Sequence, residues 1–210
     1  MNIVIIDYKM SNMFSIKNAL DAVDLKTQIT FDRKTILEAD GVVLPGVGSF
    51  PEAMLNLTNL GLIDLIKEFI ASGKPFLGIC LGFQLLFEES EEFEQVKGLG
   101  VVEGSVKKIS SKSSSLPVPH VGWNTIIKQK PPKQNKTATS SKFLLDDNDY
   151  YYFVHSYYVK PKNIENIYTV TRYGQHEFCS SIKLDNVFGC QFHPEKSGPR
   201  GLNFLQNYFS

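Results

Sequence analysis

In the first half of the chain, apolar residues come in short continuous runs. Those at 2–7, 27–31, 41–45 and 75–79 are rich in Ile and Val. Continuous rather than alternating hydrophobicity predicts strands covered on both faces. Between them lie stretches of helical period, such as Ser15-Ile16-Lys17-Asn18-Ala19-Leu20 and 62–70. This βαβα rhythm predicts an α/β fold with a central, largely parallel sheet flanked by helices. Beyond about residue 95 the rhythm changes. Strand-like segments at 99–109, 118–127, 150–159, 167–173, 179–184 and 187–192 follow one another closely, so the second half predicts a smaller antiparallel or mixed portion. The polar stretches 110–115 and 128–142, the latter with Pro131-Pro132, read as exposed loops within one domain spanning 1–210. Residues 201–209 predict a closing helix with Leu202, Leu205 and Phe209 turned inward.

Composition narrows the function classes. A chain of 210 residues that is 42% hydrophobic suits one compact domain. Acidic and basic residues cancel at 22 each, so nothing predicts the phosphate attraction that dominates nucleic-acid binding. No apolar run approaches the roughly 20 residues needed to cross a bilayer as a helix. The opening Met1-Asn2-Ile3-Val4-Ile5-Ile6-Asp7 reaches a carboxylate too soon for a secretory leader. A soluble, cytoplasmic protein is expected. Cys80, Cys179 and Cys190 are too few and scattered for a disulfide framework, and no paired Cys or His spacing predicts a metal or cofactor site. The sequons at Asn56 and Asn135 are then accidental.

The most informative segment is Phe76-Leu77-Gly78-Ile79-Cys80-Leu81-Gly82-Phe83-Gln84, which reads as a strand, a sharp turn and a helix. Gly78 and Gly82 flank Cys80 at the spacing of a nucleophile elbow, where small neighbours let the chain turn tightly and present one side chain. A cysteine in an arbitrary strand is ordinarily a small buried apolar residue. The two glycines shift the reading to a nucleophile. The start of the following helix favours a thiolate, and the Leu81 N–H can face an oxyanion beside it. A second strand ends in Leu44-Pro45-Gly46-Val47-Gly48, a loop that can approach a ligand or flip a peptide to offer another N–H; an ordinary strand-to-helix turn has the same composition.

A thiol nucleophile requires a base. His193 stands in Gln191-Phe192-His193-Pro194-Glu195, at a strand end where α/β sheets place their sites. Glu195, two residues on, can orient the imidazole. His155, in the aromatic run 150–158, is a second candidate base, although those aromatics also read as strand core. His120 is less interpretable, and Cys179 and Cys190 read as core.

Taken together, these segments resemble the class I, or triad, glutamine amidotransferases, and among them the glutaminase subunits of imidazole glycerol phosphate synthases. The resemblance spans nearly the whole chain, through Ile6-Asp7-Tyr8, 44–48, 78–84, Val118-Pro119-His120-Val121-Gly122-Trp123-Asn124, Phe153-Val154-His155-Ser156-Tyr157 and 191–198. It implies a flavodoxin-like fold. It also implies that Cys80 attacks glutamine, His193 shuttles protons, Glu195 orients it, and a glutamyl thioester precedes glutamate and ammonia. By the same resemblance Gly48, Gln84, Glu92, His155, Ser156 and Tyr157 form the glutamine pocket, while Gly46, Val47 and Leu81 form the oxyanion region. Asn12, Trp123, Asn124 and Lys196 match a docking face for a cyclase of barrel fold. That partner receives the ammonia through a tunnel to make imidazole glycerol phosphate and an aminoimidazole carboxamide ribotide in histidine biosynthesis.

One departure stands out. Where the family has Asp-Tyr-Gly-x-Gly-Asn, this chain reads Asp7-Tyr8-Lys9-Met10-Ser11-Asn12, which strains the turn if it needs positive φ. The departure leaves open the same glutaminase serving another synthase, such as one amidating nucleotide sugars for surface polysaccharides. Two other readings are a fold-retaining regulatory module without turnover, and a cysteine hydrolase or peptidase. The Cys80, His193, Glu195 set argues against the first, and the second leaves Gln84 and the His193-Pro194-Glu195 ending unexplained.

Overall fold

The computed structural model describes residues 1–10, 12–110, 116–129 and 145–210. The predicted rhythm of the first half is realised as β1 (Asn2–Ile6), α1 (Met13–Asp21), β2 (Lys26–Thr30), α2 (Arg33–Glu38), β3 (Gly41–Leu44), α3 (Phe50–Asn59), α4 (Leu62–Ala71), β4 (Phe76–Ile79) and the single turn α5 (Leu81–Gln84). The second half carries β5 (Phe87–Ser90), β6 (Val96–Lys97), β7 (Val102–Lys108), β8 (His120–Thr125), β9 (Ile127–Lys128), β10 (Tyr150–His155), β11 (Tyr157–Pro161), β12 (Ile167–Tyr173), β13 (His176–Leu184), β14 (Val187–Cys190) and α6 (Gly198–Tyr208).

Among the described residues the main sheet runs β2-β1-β3-β4-β14-β13-β11-β7-β5-β6, with β12 added on β13 and β9 on β12. Its first five strands are parallel, and β14 is the seam, parallel to β4 and antiparallel to β13. The apolar runs of β1, β3 and β4 are continuous because both faces of these strands are buried, whereas the edge strand β2 alternates polar and apolar residues and is only partly covered. Val4, Ile6, Val42, Leu44 and Phe76 pack under α2, α3 and α4, while Ile3, Ile5, Val43, Leu77 and Ile79 pack under α1 and α6. Each fully buried side chain of this size contributes about 2 kcal/mol of transfer free energy.

Four details differ from the sequence expectation. The helix expected to follow Cys80 is only the single turn Leu81–Gln84, after which the chain re-enters the sheet at Phe87. The segment 150–159 breaks at Ser156, so that β10 leaves the main sheet to pair with β8 and β11 returns to pair with β7 and β13. The closing helix starts at Gly198, three residues early, since Gly198 supplies φ 59 and a proline sits in the first turn. Phe204 rather than Leu202 joins Leu205 and Phe209 in the core. Most of the two polar stretches expected as loops falls outside the described residues. Among the described residues no helix is long and apolar enough to cross a membrane.

Candidate active site

Cys80 follows β4 directly and takes φ 52, ψ −106, a conformation that side chains rarely adopt. The tight turn requires its glycines. A Cβ on Gly82 would meet the Leu44 carbonyl oxygen, and one on Gly78 would sit 3.0 Å from the Gly82 oxygen. The Cys80 N–H continues the ladder to β14 by donating to the Cys190 carbonyl at 2.8 Å. Its sulfur faces the Val154 carbonyl at 3.9 Å and accepts from Gln191 Nε2 at 3.7 Å.

His193 leaves the neighbouring strand β14 at the same sheet edge. Its N–H donates to the Tyr152 carbonyl at 2.8 Å, and Ser197 clamps the turn by donating to the His193 carbonyl at 2.6 Å while accepting the Tyr152 N–H at 3.0 Å. One helical turn, Pro194–Lys196, folds Glu195 back so that its Oε1 accepts from His193 Nδ1 at 2.7 Å. Both side chains are fully buried. The carboxylate can only accept, so Nδ1 carries a proton and Nε2 is the nitrogen left to exchange one with the thiol. Among the described residues that Nε2 is buried without a hydrogen-bond partner, as a waiting base must be. Burial opposes charging of the ring, but Cys80 beside it and then Glu195 outweigh that and push its pKa up to about 10.

The second candidate base is excluded by its bonds. His155 Nδ1 lies 2.8 Å from the Tyr157 carbonyl and Nε2 lies 3.0 Å from His120 Nδ1. The carbonyl only accepts, so His155 donates there and accepts from His120; His120 Nε2 in turn accepts from Asn124 Nδ2 at 3.3 Å. Burial first, and for His155 the neighbouring imidazole of His120 next, lowers the pKa values to about 3 for His155 and about 4 for His120. Both rings are neutral structural links. Cys179 and Cys190 are buried, and burial pushes both thiols up.

A cavity of about 280 Å³ opens beside Cys80, and Gly48, Gln84, Glu92, His155, Ser156 and Tyr157 all line it, together with Val47 and Leu81. Glu92 accepts the Phe50 N–H at 2.7 Å; burial raises its pKa and that bond opposes the rise. A half-desolvated carboxylate of this kind suits an ammonium group. Gln84 Nε2 donates to the Tyr157 carbonyl at 2.9 Å and to Gln191 Oε1 at 3.0 Å.

The oxyanion region departs from expectation. The Leu81 N–H donates to the Gly46 carbonyl at 3.3 Å and so is closed to a substrate in this conformation. The Tyr8 hydroxyl holds the preceding Pro45 carbonyl, and Gly48 takes φ 124 at the end of the loop. Of the expected docking residues, Trp123 and Lys196 are exposed and Asn124 is half-buried. Asn12 is not merely a surface residue: its Nδ2 donates to Glu195 Oε1 at 2.6 Å. Lys9 takes φ 65, the left-handed region in which the departure from glycine was expected to cost; Ser11 lies outside the described residues.

Sequence reasoning passed over Tyr8, Gln191 and the inward role of Asn12. Gln191 did leave a signal: a lone amide inside the apolar run 187–192 of a fully buried strand must find partners.

Residues 4–210 match the family described as Glutamine amidotransferase class-I. The chain is 44% identical over 211 residues to imidazole glycerol phosphate synthase subunit HisH of Aquifex aeolicus, covering 99% of this chain and 96% of that one. It is 45% identical to the subunit of the same name from Moorella thermoacetica, covering 98% and 93%. Among solved structures, PurLQS from Thermotoga maritima superposes with a TM-score of 0.68 at 17% identity over 99% of this chain and 96% of that one, a likeness of fold.

Proposed function

This chain belongs to the class I glutamine amidotransferases, and from that premise we propose that it hydrolyses glutamine as the glutaminase subunit of an imidazole glycerol phosphate synthase, in histidine biosynthesis. The observation that carries the reading is the unpartnered His193 Nε2, oriented by Glu195 at 2.7 Å and buried next to Cys80 at the mouth of a cavity lined by all six expected glutamine-pocket residues.

His193 takes the Cys80 proton, and the thiolate attacks the carboxamide carbon. The resulting imidazolium protonates the departing nitrogen, releasing ammonia and leaving a thioester. His193 then activates a water that releases glutamate. Glu92 receives the α-ammonium group. The oxyanion needs the Leu81 N–H, which is freed when the peptide after Gly46 rotates and withdraws the Gly46 carbonyl. The resting chain is therefore a slow glutaminase, and a loop rearrangement switches it on. Trp123, Asn124 and Lys196 form the face for a cyclase subunit of barrel fold, which receives the ammonia.

Glutamate release is measured for the chain alone and with the cyclase of the same genome and its ribonucleotide substrate. Strong stimulation by the loaded cyclase is expected, and Cys80→Ala abolishes release while retaining cyclase binding. Hydrolysis retained in Cys80→Ala would sink the mechanism; Cys80-dependent hydrolysis indifferent to that cyclase would assign the chain to another synthase.

A further inference from the structure

Gln191 is fully buried and stands two residues before His193, just beyond β14. Its neighbours fix which way its amide points. The Tyr157 carbonyl can only accept, so the Gln84 atom 2.9 Å from it is Nε2. The second hydrogen of that nitrogen then points at Gln191, 3.0 Å away, which must present Oε1. Gln191 Nε2 is thereby turned to the Cys80 sulfur at 3.7 Å.

On another side the same sulfur faces the Val154 carbonyl at 3.9 Å. These two contacts act in opposite senses. A carbonyl accepts from S–H and repels S⁻, whereas an amide N–H binds sulfur more strongly as charge develops. The titratable groups that face this sulfur are His193, Tyr8 and Cys190; beside them the Gln191 amide is a fixed donor that does not itself titrate, and at a largely desolvated sulfur such a donor weighs on which form prevails.

We propose that Gln191 is a positioning residue for the nucleophile: its N–H stabilises charge as it develops on the Cys80 sulfur, and its carbonyl, gripped by Gln84, ties that contact to the wall of the glutamine pocket. The proposal rests on Cys80 being the nucleophile. The amide exchanges no proton with the substrate. As the sulfur bonds to carbon in the thioester it loses its charge and the contact weakens; when water releases glutamate the contact is restored.

The test is the pH dependence of Cys80 alkylation by iodoacetamide in the full-length chain, followed on the Cys80 peptide by mass spectrometry. Wild type is compared with Gln191→Met, which lacks the donor, and Gln191→Glu, which keeps the shape but sets a carboxylate beside the sulfur; thermal melting checks that each is folded. The midpoint is expected to move alkaline by about one pH unit in Gln191→Met and further in Gln191→Glu. Turnover should fall about tenfold with KM for glutamine changed less, because the contact acts on the sulfur rather than on the bound substrate. A folded variant with the wild-type midpoint overturns the proposal, and if Gln191→Met does not fold, Gln191→Glu decides alone. Cys80→Ala separates the two levels: hydrolysis retained there removes the nucleophile itself, whereas its loss with unmoved midpoints removes only the role of Gln191.

Discussion

Asn12 and His193 donate to the same atom: Glu195 Oε1 accepts Asn12 Nδ2 at 2.6 Å and His193 Nδ1 at 2.7 Å. Two donors on one oxygen fix the carboxylate in the plane that the imidazole needs. A residue on the expected docking face is thus also a direct support of the triad. Asn12→Ala removes one charge-assisted hydrogen bond, worth about 1.5 kcal/mol. The expected result is a roughly tenfold lower kcat for glutamate release with KM within twofold. Steady-state kinetics check it, and an unchanged kcat would show that His193 alone holds Glu195.

The neutral pair His120 and His155 makes the fold sensitive to acid. Their pKa values in the folded chain, about 4 and about 3, lie below the ordinary 6.5. Between those values the unfolded chain binds more protons, so stability rises with pH. Stability is therefore lost as pH falls from about 6.5 through 4 and 3, by at most roughly 3 to 5 kcal/mol per ring. His120→Phe removes one titrating ring, and its stability by urea unfolding should fall less steeply than wild type between pH 6.5 and 4.

At the elbow, Gly82→Ala would press a methyl group into the Leu44 carbonyl. The neighbour is backbone and cannot rotate away. A loss of about 3 kcal/mol or more is expected by denaturant unfolding, together with loss of glutaminase activity.

The Lys9 turn gives the opposite sign. The side chain is exposed and its backbone sits at φ 65. Lys9→Gly relieves the left-handed penalty, and stability is expected to rise by about 0.5–1 kcal/mol in thermal unfolding with glutaminase activity unaltered. An unchanged or lower stability would show that Asp7, whose Oδ1 accepts the Lys9 N–H at 3.0 Å, already offsets the strain.

What could be read from the chain beforehand follows a physical divide. The parallel core was legible because both faces of β1, β3 and β4 are covered, which writes itself as unbroken apolar runs, of Ile and Val in β1, of Val and Leu in β3 and of Phe, Leu and Ile around Gly78 in β4. The elbow was legible because a tight turn needs glycine on both sides of Cys80. Glu195 could be assigned to His193 because only one residue separates them. Asn12 and Glu195 are 183 positions apart, and Gln191 and Cys80 are 111 apart, so no local pattern links them. The engagement of the Leu81 N–H by Gly46 is a matter of peptide orientation, to which side-chain patterns are blind. Phe204 displaced Leu202 because the buried stripe of the helix is centred on Gly201, Phe204 and Leu205, which leaves Leu202 at its margin.

The seam between β4 and β14 has a wider consequence. Cys80 and His193 emerge from adjacent strands whose register pairs Ile79 with Cys190. The gap between nucleophile and base is thus gauged by main-chain rungs, which every sequence shares. Drift in the loops and the distant sheet edge leaves that gauge untouched, whereas a slip of one rung would turn Phe192 toward Cys80 in place of the imidazole. Such a chassis can be handed from one ammonia-consuming partner to another by rewriting its rim alone.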